Sequence, residues 1–197
     1  MRRTVLLLIT LFSIPLAAVA QTPDVQLFGG YAYTHVDSGG VPGLFNAGAK
    51  NWNGWETSFA ANFNRFVGVT FDFSGDYGRG FRGAFDSFSR HVGNQTPFLY
   101  TYMAGPQFLI PAGRVLVFAH GLAGATQVKR GFVGADFPGA RSDTAFGAAV
   151  GAGVDVSLTR YVALRVAQAD YLISKNFGGS QNNLRVSGGI VFEFGGK

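Results

Sequence analysis

Val67 to Gly78 reads VGVTFDFSGDYG, and its residues alternate in kind almost without exception. Val67, Val69, Phe71, Phe73 and Tyr77 fall on one face, and Gly68, Thr70, Asp72, Ser74 and Asp76 on the other. A period of two marks a β-strand with unlike faces. Which face meets water decides the fold, and one strand alone does not say.

The same period recurs along the chain. Alternating segments run over Val25–Val36, Trp55–Asn64, Val67–Tyr77, Phe98–Leu109, Val115–Val128, Thr144–Val156, Val162–Ser174 and Leu184–Phe194. These make eight strands, most of ten residues or more, whereas strands of soluble proteins usually have about 5–6. A tilted strand needs about 9–11 residues to cross a bilayer. The connections differ in kind. Asp37–Asn53, Arg79–Gln95, Lys129–Arg141 and Lys175–Asn182 are long and Gly-rich; Arg65–Phe66, Ile110–Arg114 and Ser157–Tyr161 are short. Strict alternation of long and short is the asymmetry of a membrane up-and-down barrel. Pro42, Pro111 and Pro138 fall in connections and Pro97 opens a strand. Pro106 lies inside one, which predicts a bulge or a local break in the ladder.

Comparing faces answers the opening question. Trp55, Thr57, Phe59, Ala61 and Phe63 oppose Glu56, Ser58, Ala60, Asn62 and Asn64. Thr144, Phe146, Ala148, Val150, Ala152, Val154 and Val156 oppose Ala145, Gly147, Ala149, Gly151, Gly153 and Asp155, and Leu184, Val186, Gly188, Ile190, Phe192 and Phe194 oppose Asn183, Arg185, Ser187, Gly189, Val191 and Glu193. An eight-stranded barrel is only wide enough to be filled by side chains. Small and polar residues suit that lumen, and the bulky apolar face suits lipid. In hydrocarbon only helices and closed barrels leave no backbone edge unpaired. The expected fold is therefore all-β, an eight-stranded antiparallel up-and-down transmembrane β-barrel.

Composition agrees. The chain has 197 residues, 29 of them Gly and 20 Phe, with no Cys and 14% charged residues, which is too apolar for disorder and suits one domain. Residues 1–20 read as an export leader: Arg2 and Arg3 precede an uncharged run from Val5 to Leu16, and Ala18-Val19-Ala20 supplies a small-residue cleavage site. The run is short for a spanning helix. Residues 21–197 are then one barrel domain, exported without a disulfide to hold it.

Aromatic residues sort by end. Tyr31, Tyr33, Trp55, Tyr77, Tyr100, Tyr102 and Tyr171 gather toward the long connections, and Phe63, Phe108, Tyr161, Phe192 and Phe194 toward the short ones. Two aromatic girdles are expected at the two membrane interfaces.

Five stretches carry a family resemblance: VQLFGGYAY, GWETSFAANFNRFVGVTFDFSGDYG, YMAGPQF, VALRVAQADYL and NNLRVSGGIVFEFG. Together they resemble the small outer-membrane β-barrel family that includes the barrel of outer membrane protein A and its eight-stranded relatives, over about Val25 to Gly195. The resemblance implies residence in the outer membrane of a Gram-negative-type bacterium. Long loops would be extracellular and short turns periplasmic, and the partners would be outer-membrane lipid and lipopolysaccharide. It also implies insertion by the barrel-assembly machinery, read from a terminal strand that ends on an aromatic; here Phe194 is followed by Gly195-Gly196-Lys197. No appended peptidoglycan-binding domain is expected.

The lumen should hold the charges Glu56, Asp72, Asp76, Asp143, Asp155, Arg165, Asp170, Arg185 and Glu193, paired because an isolated ion in a dry interior costs several kcal/mol. Arg165 and Asp170 are an odd number apart, so they share this face only if a bulge intervenes near Ala167. Arg165 and Arg185 are the candidate partners of Asp72. The set is expected to be structural, filling the lumen; a narrow, low-conductance channel is the alternative.

Catalysis has little to rest on. His35, His91 and His120 lie near a strand end, in a connection and within a strand, and no Ser adjoins His120. The face of His120 stays open, because Phe118, His120 and Leu122 alternate with Ala119, Gly121 and Ala123; pairing to a lumen carboxylate is the expected role. No catalytic, metal or cofactor site is expected, since metal-ligand spacing and a phosphate-binding Gly-rich run are both missing. With Asp37 and Lys50 cancelling, the long connections sum to +5 and the rest of the mature chain to −2, from Arg79, Arg82, Asp86, Arg90, Lys129, Arg130, Asp136, Arg141 and Lys175. A basic outer rim suits anionic head groups or acidic surface polymers. No basic strip with stacking aromatics suits nucleic acid. The expected function is a structural or adhesin-like outer-membrane barrel with an unidentified surface partner. The alternative is an outer-membrane lipid-modifying enzyme with a rim site near Tyr33, His35 or His91.

Overall fold

In a computed structural model, residues 22–36, 51–78, 98–130, 141–176 and 180–195 are described. They form eight strands: β1 (Val25–Val36), β2 (Asn51–Asn62), β3 (Val67–Tyr77), β4 (Phe98–Ala112), β5 (Val115–Arg130), β6 (Arg141–Ser157), β7 (Val162–Ser174) and β8 (Gln181–Phe194). Each pairs antiparallel with its neighbour in sequence, and β1 closes on β8, from Val25 opposite Phe194 to Val36 opposite Asn183. Residues 1–20, expected from the sequence to be a leader, lie outside the described residues, as do His91 and most of the charged loop residues.

The strands differ from their sequence limits mainly at the ends. β2 begins at Asn51 rather than Trp55, because His35 to Ala32 of β1 offer partners to Asn51–Gly54. It stops at Asn62, since Asn64 makes a turn of its own: its Oδ1 accepts from the amides of Phe66 and Val67 at 2.8 and 3.0 Å. Thr159 does the same for Tyr161 and Val162 between β6 and β7. The β4–β5 turn is only Gly113-Arg114, and Gly113 has a φ of +66°, a conformation that L side chains resist.

Two irregularities matter. Pro106 interrupts the β4–β5 ladder: pairing is present at Ala104–Ala123 and Gln107–His120 and missing between them, with the register unchanged. Pro106 thus makes a local break and no bulge, as expected where a residue has no N–H to donate. The bulge is in β7. Val154 faces Ala167 but Asp155 faces Arg165, and the β8 register also shifts between Arg165 and Gln168. Val166 and Ala167 both turn outward, so Arg165, Gln168 and Asp170 all turn inward.

The outer surface is the apolar one. Leu27, Phe59, Phe71, Phe73, Val150, Leu184, Val186 and Ile190 are all exposed. A continuous belt of this kind is far larger than the apolar patches of soluble monomers. Inside, apolar clusters lie toward the short turns (Phe28, Ala163 and Val191; Leu109, Leu116 and Phe118) and toward the long connections (Met103, Leu122, Ala149 and Leu172). One strand reverses the rule that bulk faces lipid. On β5, Leu116, Phe118, His120 and Leu122 point inward, and Ala119, Gly121 and Ala123 point outward. The compensation is next door: the inward residues of β6 include Gly147, Ala149, Gly151 and Gly153, and Phe118 occupies the space that a Cβ on Gly153 would need.

Candidate functional site: the charged lumen

Period-two strands carry their polar residues to the axis, and there the side chains join across the barrel. Arg185 of β8 is fully buried and has carboxylates on three strands. Its Nη2 donates to Asp72 Oδ1 on β3 at 3.0 Å and to Asp170 Oδ2 on β7 at 2.8 Å. Its Nε donates to Asp170 Oδ2 at 3.0 Å and lies 3.2 Å from Glu56 Oε2 on β2. Of the two candidate partners for Asp72, the structure selects Arg185.

Arg165 has a different acid. Its Nε and Nη2 donate to the two oxygens of Asp155 at 2.8 and 2.9 Å, a bidentate pair. Its guanidinium is held between two aromatic faces, 4.2 Å from the ring centre of Phe28 and 4.3 Å from that of Phe118. Cation–π attraction of this kind strengthens when water is removed.

Gln168 links the two arginine groups. Its Oε1 accepts from Arg165 at 2.7 Å, and its Nε2 donates to Glu56 at 2.6 Å and to Asp170 at 2.8 Å. Sequence reasoning passed over Gln168, although it lies two residues before Asp170 and shares its face once the bulge is placed. His120 completes the set: Nε2 is 2.8 Å from Asp170 Oδ1, so the open face of this residue is the inner one. No serine hydrogen-bonds to His120 among the described residues. A side chain on Gly151 would run into Asp170 Oδ1 and His120 Nε2, so the smallest residue is what lets this contact form.

Two other inward acids meet hydroxyls. Asp76 accepts from Thr34 at 2.8 Å, Glu193 accepts from Ser157 at 3.4 Å, and Asp143 is only partly buried. Six buried carboxylates (Glu56, Asp72, Asp76, Asp155, Asp170 and Glu193) therefore share the interior with Arg165, Arg185 and His120. Among the described residues, no three His, Cys, Asp or Glu side chains form a group that could hold a metal ion.

Outside, Tyr31, Tyr33, Tyr102 and Tyr171 are exposed, and Trp55, Tyr77 and Tyr100 are half-buried. They touch one another near the long connections: Trp55 Nε1 donates to the Tyr77 hydroxyl at 3.3 Å, and Tyr77 meets Tyr100 edge to face at 6.3 Å. The Tyr31 hydroxyl donates to Asn53. Phe192 and Phe194 are exposed at the opposite end. His35 is bonded to Asn51 at 2.8 Å, and Tyr33 beside it points outward.

Comparison with known proteins gives the same architecture. The attachment invasion locus protein Ail of Yersinia pestis, solved in complex with the heparin analogue sucrose octasulfate, is 21% identical, with a TM-score of 0.53 over 85% of this chain and 97% of that one. Neisserial surface protein A is 15% identical, with a TM-score of 0.61 over 87% and 97%. The outer membrane protein OprG of Pseudomonas aeruginosa is 11% identical, with a TM-score of 0.56 over 88% and 97%. At these identities the likeness is one of fold. Among curated protein sequences none matches. The model of the outer membrane protein β-barrel domain matches residues 4–195, nearly the whole sequence. With its closed eight-stranded barrel and apolar outer face, the chain belongs to the outer membrane protein β-barrel domain family.

Proposed function

We propose that this protein is a non-enzymatic surface protein of the outer membrane, anchored by its barrel and binding acidic polymers through its long basic loops. Residues 1–20 are a leader removed on export, and residues 21–197 form the barrel domain. The long connections face outward, among lipopolysaccharide, and the short turns face the periplasm. Phe192 and Phe194 on the terminal strand face lipid and form the signal offered to the barrel-assembly machinery.

The observation that carries this reading is the cross-barrel set around Arg185, which ties β8 to β2, β3 and β7 where a pore would have to run. It supports an interior filled for stability, which leaves the loops as the part free to act. Lys129, Arg130 and Arg141, counted with the loops in the sequence, end β5 and begin β6 instead, and together with the loop arginines they give this end of the barrel an excess of Arg and Lys that favours an anionic partner. Ail, with the same fold, was solved bound to a sulfated saccharide. Against catalysis, His120 is turned inward onto Asp170 and His35 is held by Asn51.

Retention on immobilised heparin of outer-membrane vesicles carrying the protein tests the reading. Binding should weaken as salt rises, because exposed charges are screened. It should weaken when Arg79, Arg82 and Arg90, three of the seven cations that make up the basic excess, are replaced by Gln. Retention equal to that of empty vesicles from the start would refute it.

A further inference from the structure

The opposite rim carries a pattern that the loops do not explain. Each of the three short turns holds one arginine: Arg65 between β2 and β3, Arg114 between β4 and β5, and Arg160 between β6 and β7. All three are exposed, and none makes an ion pair among the described residues. Two lie on the ring of the next residue, Arg65 at 4.5 Å from the centre of Phe66 and Arg160 at 4.6 Å from that of Tyr161. Phe63, Phe66, Leu158 and Tyr161 are bare in these turns, Phe63 to 75%. The fourth quarter of the rim, where β1 meets β8, holds Asp24 beside Gly195. Among the described residues, the turns and this seam therefore hold three cations and one carboxylate. Glu193 and Asp155 are nearby in the chain but point into the barrel, Asp155 onto Arg165.

We propose that this rim is a binding surface for the head groups of anionic phospholipids. Bare Phe and Tyr rings belong at a membrane interface. Turns of two to four residues are too short to lift a guanidinium beyond the head-group layer, since each residue spans at most about 3.3–3.6 Å. The arginines thus stand at phosphate level, where a planar guanidinium takes two phosphate oxygens at once. Stacking on Phe66 and Tyr161 holds two of them flat against the apolar boundary. The three sites recur every second strand around the barrel, so they engage several lipids rather than one. Water-exposed basic loops would need no such rings.

Binding itself does not depend on which end faces the periplasm. That these head groups belong to the periplasmic leaflet of the outer membrane rests on the orientation proposed above, and protease access to the long loops in intact cells tests that orientation separately.

For binding, the purified full-length protein is refolded into vesicles of equimolar phosphatidylcholine and phosphatidylglycerol, extracted gently, and its retained lipids counted by native mass spectrometry. Wild type should retain phosphatidylglycerol preferentially, and the preference should weaken in high salt. Each of Arg65→Gln, Arg114→Gln and Arg160→Gln should reduce it, by up to about fivefold per arginine, and the triple variant should abolish it. A loop variant with Arg79, Arg82 and Arg90 replaced by Gln should keep it. Heat-dependent gel mobility verifies that each variant is folded. An unchanged preference in the folded triple variant would overturn the proposal, as would its loss in the loop variant. So would retention that is lost in the triple variant but is of lipopolysaccharide rather than phosphatidylglycerol when both are supplied.

Discussion

Replacing Arg185 with Leu tests the lumen most directly. The side chain is fully buried and answers three carboxylates, each of which has different support once it is gone. Asp170 keeps His120 and Gln168, and Glu56 keeps Gln168 at 2.6 Å. Asp72 loses Arg185 Nη2 and with it the cation that neutralises it. Removing one partner of a buried pair costs about 3–5 kcal/mol, because the other charge stays behind. A loss of this size is a large share of a typical domain's stability, about 5–15 kcal/mol. Urea unfolding of protein refolded into lipid vesicles reads the loss, followed by the fluorescence of Trp52 and Trp55 and by heat-dependent gel mobility. Adding Asp72→Asn to the variant removes the stranded charge, so the double variant should recover part of the loss, with a coupling of about 0.5–3 kcal/mol. Conductance of the purified protein in planar bilayers should stay at background for wild type and variants alike. A loss under about 1 kcal/mol, the scale of an exposed pair, would refute the assigned role of Arg185. Large single-channel steps in wild type would refute the filled lumen.

Two further substitutions probe the packing behind this network. Gly151→Ala places a methyl group where His120 and Asp170 meet and should cost about 1–3 kcal/mol as overpacking; Gly121→Ala, outward with nothing within 4 Å, should be tolerated in the same unfolding assay. Arg165→Lys keeps the cation but loses the fork to Asp155, at about 1.5–3 kcal/mol, while Arg165→Met strands Asp155 and should cost more. The reverse order would show that stacking between Phe28 and Phe118, rather than the ion pair, governs the site.

How far each strand was readable depended on how unlike its two faces are. On β3 the contrast between Phe71 and Asp72 is complete, and the limits Val67–Tyr77 are those observed. β7 was legible through its charges: Arg165 and Asp170 could share a face only across a bulge, and the register shifts there. Gln168 went unremarked because a neutral amide is unexceptional in a strand, and its value lies in bridging Glu56 and Asp170, residues far apart in the chain. β5 was undecided because both of its faces are apolar.

Period-two alternation determined the strands and the outward direction of most apolar side chains, and the alternation of long and short connections determined their antiparallel order. These follow from the pleat and from the need to satisfy every backbone group in lipid. The tertiary structure alone decided which way β5 faces and which acid meets which arginine. Leu116, Phe118, His120 and Leu122 turn inward because β6 leaves room with Gly147, Gly151 and Gly153. Arg185 reaches Asp72 and Glu56 because barrel closure puts β8 beside β1 and within reach of β2 and β3. Volume and distance across a lumen belong to pairs of strands, so no single strand's pattern contains them.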